Sequence, residues 1–169
     1  MILNKKIILI GHFGVGKTSM INKFVHKKFS EEYITSIGVR VDKKLVTIDN
    51  HDINLLIWDI SGEQEQKKVP ESYHKGAHCI IYVVDPTRKT TYLNIDNDLL
   101  YVNDIQPETP IVIVVNKFDL IPTEADVETI KERISMGVDF WCSAKLGSYV
   151  EELFIKVGEI VLKKHLENE

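Results

Sequence analysis

"GHFGVGKTS", Gly11 to Ser19, follows the apolar run "KIILI" (6–10) and precedes a stretch of helical periodicity over 17–28. Gly11, Gly16, Lys17 and Thr18 satisfy the pattern G-x-x-x-x-G-K-[ST] in the strand-then-helix setting that the pattern requires, and Gly14 adds a flexible position inside the loop. Glycines let successive backbone N–H groups turn inward as an anion nest, while the N-terminus of the following helix contributes its dipole. Such a loop holds the phosphates of a nucleoside triphosphate. Gly14, Val15, Gly16, Lys17, Thr18 and Ser19 form the cradle, Lys17 reaches the β- and γ-phosphates, and the Thr18 hydroxyl faces Mg2+.

Outward from this loop, short runs rich in Val and Ile alternate with amphipathic stretches. "INLLIWDI" (53–60), "CIIYVVD" (79–85), "PIVIVVNKFD" (110–119) and "VDFWCSA" (138–144) read as strands, joining "KIILI". Helices are expected at 17–28, 64–75, 90–105, 124–135 and 148–165, the last with Val150, Leu153, Phe154, Val157, Val161 and Leu162 on one apolar face. Nearly continuous apolar strands alternating with helices indicate a mostly parallel sheet covered on both faces. One connection differs: in "VRVDKKLVTIDNHDINLLIWDI" (39–60) two strand-like runs are separated only by the polar turn Asp49-Asn50-His51-Asp52. A hairpin there places one antiparallel strand in a six-stranded sheet. The expected fold is an α/β P-loop NTPase occupying 1–169 as one domain.

Composition agrees with that class. Of 169 residues, 44% are apolar and 27% charged, which is ordinary for a globular protein. The formal net charge of −4 lacks the basic excess of a general nucleic-acid binder. No signal peptide or membrane-length apolar run is present, so a cytoplasmic location is expected, and Cys79 and Cys142 sit among apolar or aromatic neighbours as reduced core residues. His74 and His78 have helical i, i+4 spacing, but Gly76 lies between them and no third ligand accompanies them, so they do not read as a zinc site. His12 is read as contributing its backbone, with the ring outward, and Trp58 and Trp141 as packing.

The loop alone does not choose the base. "NKFD" (116–119) closes one apolar strand and "SAK" (143–145) the next, and the C-terminal ends of parallel strands are where ligands bind. Asp119 can accept from the N1–H and exocyclic amine of guanine; adenine lacks this donor pair and would leave the carboxylate unpaired. Asn116 can bond the other edge of the base, Lys117 can lie along its face, and the Ala144 N–H can donate to O6, with Ser143 and Lys145 completing the loop.

Taken together these motifs resemble the Ras superfamily of small GTPases, most closely the Rab branch, over essentially the whole chain. The resemblance includes "EEYITSIGV" (31–39) as a first switch, "WDISGEQE" (58–65) in place of W-D-T-A-G-Q-E, "SYHKGAHCIIYVVD" (72–85), "NKFD" and "CSAK" (142–145). It implies that Phe29 stacks on the guanine edge and that Tyr33 covers the phosphates. Ser36, where the family has Thr, binds Mg2+ in the GTP state; Asp59 holds Mg2+ through water, and the Gly62 N–H senses the γ-phosphate. Loss of that phosphate releases both switch segments, a change that effectors, exchange factors and GTPase-activating proteins can read. A monomer is expected.

Three departures stand out. Glu63 occupies the place of the water-orienting Gln, followed by Gln64; an ionised carboxylate accepts from the attacking water but cannot donate to the γ-phosphate. Phe13 fills a position that is usually small, and either crowds the γ-phosphate or folds away onto apolar surface. None of the three arginines, Arg40, Arg88 and Arg133, stands in a family arginine-finger position. Slow hydrolysis is therefore expected, with Lys17, Gly62, Glu63 and Gln64 as the catalytic set; the alternative is a module that binds GTP or GDP without hydrolysing it. The last eight residues, "LKKHLENE", contain no cysteine for prenylation, so either the protein is not lipidated or its tail has been removed, and peripheral membrane attachment is in doubt.

Overall fold

The computed structural model describes residues 2–29, 38–60, 69–121 and 123–168. Among these residues six strands, β1 (Ile2–Ile10), β2 (Val39–Ile48), β3 (His51–Ile60), β4 (Cys79–Val84), β5 (Ile111–Val115) and β6 (Phe140–Trp141), form one sheet in the order β2-β3-β1-β4-β5-β6. Every pairing is parallel except β2 with β3, as the hairpin reading requires. Its turn is tighter than expected: Asp49 and Asn50 alone make it, at φ 48° and 63°, the paired left-handed conformation of a two-residue hairpin loop, and His51 already belongs to β3.

Among the described residues five α-helices accompany the strands: α1 (Lys17–His26), α2 (Glu71–His74), α3 (Ile95–Ile105), α4 (Glu124–Arg133) and α5 (Val150–Leu166). The two-residue period of the strands sorts their side chains into two cores. Ile7, Leu9, Cys79, Ile81 and Val83 meet α1 and α5 on one face, while Ile8, Ile10, Ile80, Tyr82 and Val84 meet Ile95, Leu99 and Val102 of α3 and Ile130 of α4 on the other. Phe24 of α1 stacks on Phe154 of α5 with ring centroids 4.2 Å apart. Gly158 lets α5 close on β2, since a Cβ there would lie 2.3 Å from the Ile48 Cδ1.

Element boundaries depart from the expected ones for local reasons. The helix expected over 64–75 occupies only Glu71–His74 of the described residues, beginning after Pro70, which has no N–H to continue a helix from its preceding turn. The helix expected from 90 begins at Ile95, because Lys89–Thr91 forms a short 3-10 turn. The Thr91 Oγ1 accepts from the Asp85 N–H at 3.0 Å and donates to the Asp85 carbonyl at 2.9 Å, tying that turn to the end of β4. The helix expected from 148 starts at Val150, after Tyr149 in the left-handed conformation. Among the described residues no helix is long and apolar enough to cross a membrane.

Candidate functional site

The C-terminal ends of β1, β4 and β5 converge on the loop between β1 and α1, and two of its glycines are required by close approach. A Cβ on Gly11 (φ 136°) would lie 2.2 Å from the Val83 carbonyl oxygen, and one on Gly16 (φ 101°) would lie 2.2 Å from the Asn116 Nδ2. Lys17, the first residue of α1, is buried, and its Nζ donates to the Gly11 carbonyl at 2.8 Å and the His12 carbonyl at 3.1 Å. Burial pushes the Lys17 ammonium down to about 8, partly offset by the Asp59 carboxylate.

Asp59, on β3, is buried, and its Oδ2 accepts from the Thr18 hydroxyl at 2.5 Å. Its Oδ1 has no hydrogen-bond partner among the described residues. Burial raises the Asp59 carboxyl above its usual range, and the Thr18 bond and Lys17 pull the other way. An unpartnered carboxylate oxygen beside a hydroxyl suits a hard cation that takes oxygen ligands and keeps several waters. Among the described residues no group of three or more His, Cys, Asp or Glu side chains is placed to hold a metal by itself, so a cation here would need further oxygens from its ligand and water.

Asn116, directly after β5, joins the loop to the next strand end. Its Nδ2 donates to the Val15 carbonyl at 2.9 Å and its Oδ1 accepts from the Ala144 N–H at 3.0 Å, all inside the protein. Lys117 adopts the left-handed conformation (φ 58°), and its Nζ reaches the Gly14 carbonyl at 2.8 Å and the Asp85 Oδ2 at 2.6 Å. Asp119 is exposed and accepts at Oδ1 from the buried Ser143 hydroxyl at 2.5 Å; the same hydroxyl accepts from the Leu146 N–H at 3.1 Å. The phosphate loop, "NKFD" and "SAK" thus form one hydrogen-bonded unit.

A Ras family model matches residues 6–163 of the chain. The chain belongs to the Ras family. Within it the resemblance is Rab-like. Ras-related protein RABG3f of Arabidopsis thaliana is 31% identical across 97% of this chain and 85% of its own length. Ras-related protein Rab7 of Pisum sativum is 32% identical over the same shares. Membership makes the chain a GTP-binding switch protein of the GTPase type, from a family that binds GTP and GDP with Mg2+ and meets effectors, exchange factors and activating proteins.

Several Ras-family expectations acquire a different geometry. The Ala144 N–H, expected to face guanine O6, is donated to Asn116 instead, and both ends of the Asn116 amide, expected at the base edge, are engaged by backbone. Phe29 is half-buried and packs against the core between the sheet and the α1–α5 pair. Phe13 is 44% exposed. The His12 ring is half-buried rather than outward, and its carbonyl serves Lys17 and, at 3.4 Å, the Val15 N–H. His78 uses Nδ1 to accept from the Lys6 N–H at 3.0 Å, and Trp58 carries the Lys6 ammonium 4.0 Å above its ring. Ser19 lies half-buried on α1 and Lys145 is exposed. Tyr33, Ser36, Gly62, Glu63 and Gln64 lie outside the described residues.

Asp85 escaped the sequence reading. It is fully buried at the end of β4, accepts from the Thr87 N–H at 2.9 Å and the Thr87 hydroxyl at 2.6 Å, and pairs with Lys117 and with the Arg88 Nε at 3.2 Å. Burial works to raise its carboxyl, but these donors outweigh it and hold Asp85 below the usual carboxylate range. The available signal was a carboxylate closing an apolar strand on the edge where ligands bind.

Proposed function

We propose that this chain is a guanine-nucleotide switch that hydrolyses GTP slowly. The observation that supports it best is Asn116, whose single amide ties the phosphate loop at Val15 to the "SAK" loop at Ala144. Elements for the two ends of a guanine nucleotide are thereby built as one pocket. Asp119, oriented by Ser143, accepts from the guanine N1–H and amine; Phe29 and Lys117 border the base, and Ala144 and Lys145 form its far wall.

At the phosphate end, the amides from Gly14 to Ser19 surround the β-phosphate, and the buried Lys17 ammonium, with three donors of which two are given to carbonyls, neutralises the transferred charge. Thr18, Ser36 and Asp59 would hold Mg2+, which would supply neutralisation of the phosphate charge. Tyr33 covers the phosphates and the Gly62 N–H binds the γ-phosphate. Glu63 orients the attacking water without donating to the γ-phosphate, and Gln64 beside it is the second candidate for that place. The second reading is a nucleotide-binding module that does not hydrolyse, its activity lost through Glu63 and Phe13. Effectors and regulators would read the switch segments of a monomer in the cytoplasm, attached to a membrane only through a lipidated tail.

The test is the nucleotide released on denaturing the purified protein, followed by single-turnover hydrolysis of GTP by the wild type and Glu63→Gln. Guanosine phosphates and a faster variant are expected, the gain reaching up to the order of 10²–10³ that one donor contributes at such sites. Release of adenine nucleotides, or of none with no saturable guanosine binding, overturns the base assignment. A variant no faster than wild type shows that Glu63 is the working residue or that Gln64 has replaced it, and no GDP from either protein over many hours favours the module.

A further inference from the structure

Each carbonyl of the phosphate loop from Gly11 to Val15 accepts a side-chain hydrogen bond. Lys17 serves Gly11 and His12, Lys117 serves Gly14, and Asn116 serves Val15. The Phe13 carbonyl is served by Arg88, 75 residues away in sequence, whose Nη2 lies 2.7 Å from it. A peptide unit is planar and carries its C=O and N–H on opposite sides. Holding the Phe13 carbonyl outward therefore turns the Gly14 N–H inward, just as the Asn116 bond to Val15 turns the Gly16 N–H. The Arg88 Nε meanwhile rests on the Asp85 Oδ2 at 3.2 Å, so the planar guanidinium spans a buried carboxylate and the loop backbone at once. Asp85 has a counter-charge already, the Lys117 ammonium at 2.6 Å. What Arg88 adds is the grip on Phe13.

We propose that Arg88 is a positioning residue for nucleotide retention, fixing the Phe13–Gly14 peptide so that the Gly14 amide stays aimed at the phosphates. This rests on the nucleotide site described above and extends it to a residue outside its motifs. Arg88 acts through the loop backbone and reaches it from the turn between β4 and α3.

The experiment measures dissociation of a fluorescent GDP into excess unlabelled GDP, with Mg2+ present, from the full chain and from Arg88→Ala, Arg88→Lys and Thr91→Ala. A hydrogen bond from a charged donor, reduced for the partial exposure of Arg88, sets an acceleration on the order of tenfold for Arg88→Ala. Arg88→Lys, which keeps the charge but loses the fork, falls between it and wild type. Thr91→Ala loosens the same turn by removing its bonds to Asp85 and Arg88 backbone without deleting the guanidinium, and stays nearer wild type. Wild-type dissociation from Arg88→Ala, or equal acceleration by Thr91→Ala, overturns the proposal while leaving the guanine site intact. Failure of the wild-type chain to bind GDP at all overturns both.

Discussion

Asn116→Ala removes two buried hydrogen bonds at once, the 2.9 Å bond to the Val15 carbonyl and the 3.0 Å bond from the Ala144 N–H. Asn116 itself is 1% exposed, so water does not readily replace either partner. A buried backbone group left unpaired costs about 1–3 kcal/mol, which puts the pair at about 2–6 kcal/mol. The middle of that range, about 4 kcal/mol, corresponds to about a thousandfold in a binding constant. Because the lost bonds join the phosphate loop to the "SAK" loop, the deficit should fall mainly on nucleotide affinity. Titration with fluorescent GDP should show Kd weakened by about 10²–10³, part of the full penalty being absorbed by relaxation of the loops. Asn116→Asp keeps an acceptor for Ala144 but sets a carboxylate oxygen against the Val15 carbonyl, so it should bind no better than the alanine variant. An Asn116→Ala protein that binds GDP within threefold of wild type would refute the claim that this amide unites the pocket, and so would restoration of binding by aspartate.

Asp119→Asn should shift preference towards xanthosine diphosphate, whose base presents an acceptor where guanine has its amine; competition binding checks it, and a variant that still prefers GDP by the wild-type margin places the base elsewhere. Burial pushes both the Cys79 and Cys142 thiols up to about 12. Thiolate is the reactive form, so in the folded protein at pH 8 neither thiol should react with an aromatic disulfide reagent, labelling should quicken as pH rises towards 12, and denaturant should expose both together. Rapid native labelling of either at pH 8 would contradict the packing described around them.

Much of the fold is legible because its signals are local. The Val and Ile runs of β4 and β5 announce strands buried on both faces, and Asp49-Asn50 announces the hairpin because few residues tolerate two successive positive φ values. The short helix at Glu71–His74 and the late start of α3 were not legible to the same degree: the amphipathic period ran through Pro70 and through Thr91, whose bonds to Asp85 depend on how the chain returns from β4. At the site, the motif residues could be named, but their partners could not. Asn116 reads as a base contact in the sequence; what the sequence does not announce is that its amide also bonds backbone 101 and 28 residues away.

By itself, then, the sequence determined which segments are strand or helix, that a phosphate loop lies between β1 and α1, and the order of motifs that marks a Ras-family chain. Those properties depend on side-chain period, on glycine's access to positive φ and on spacing along the chain. Only the tertiary structure decided that Asp85 takes two cations, that Arg88 grips the Phe13 carbonyl, and that Gly16 must yield its Cβ space to Asn116. Apart from the local Asp85–Arg88 pair, each of these contacts joins residues on different strand ends, and their meeting is set by sheet register and strand order, which no local stretch of sequence encodes.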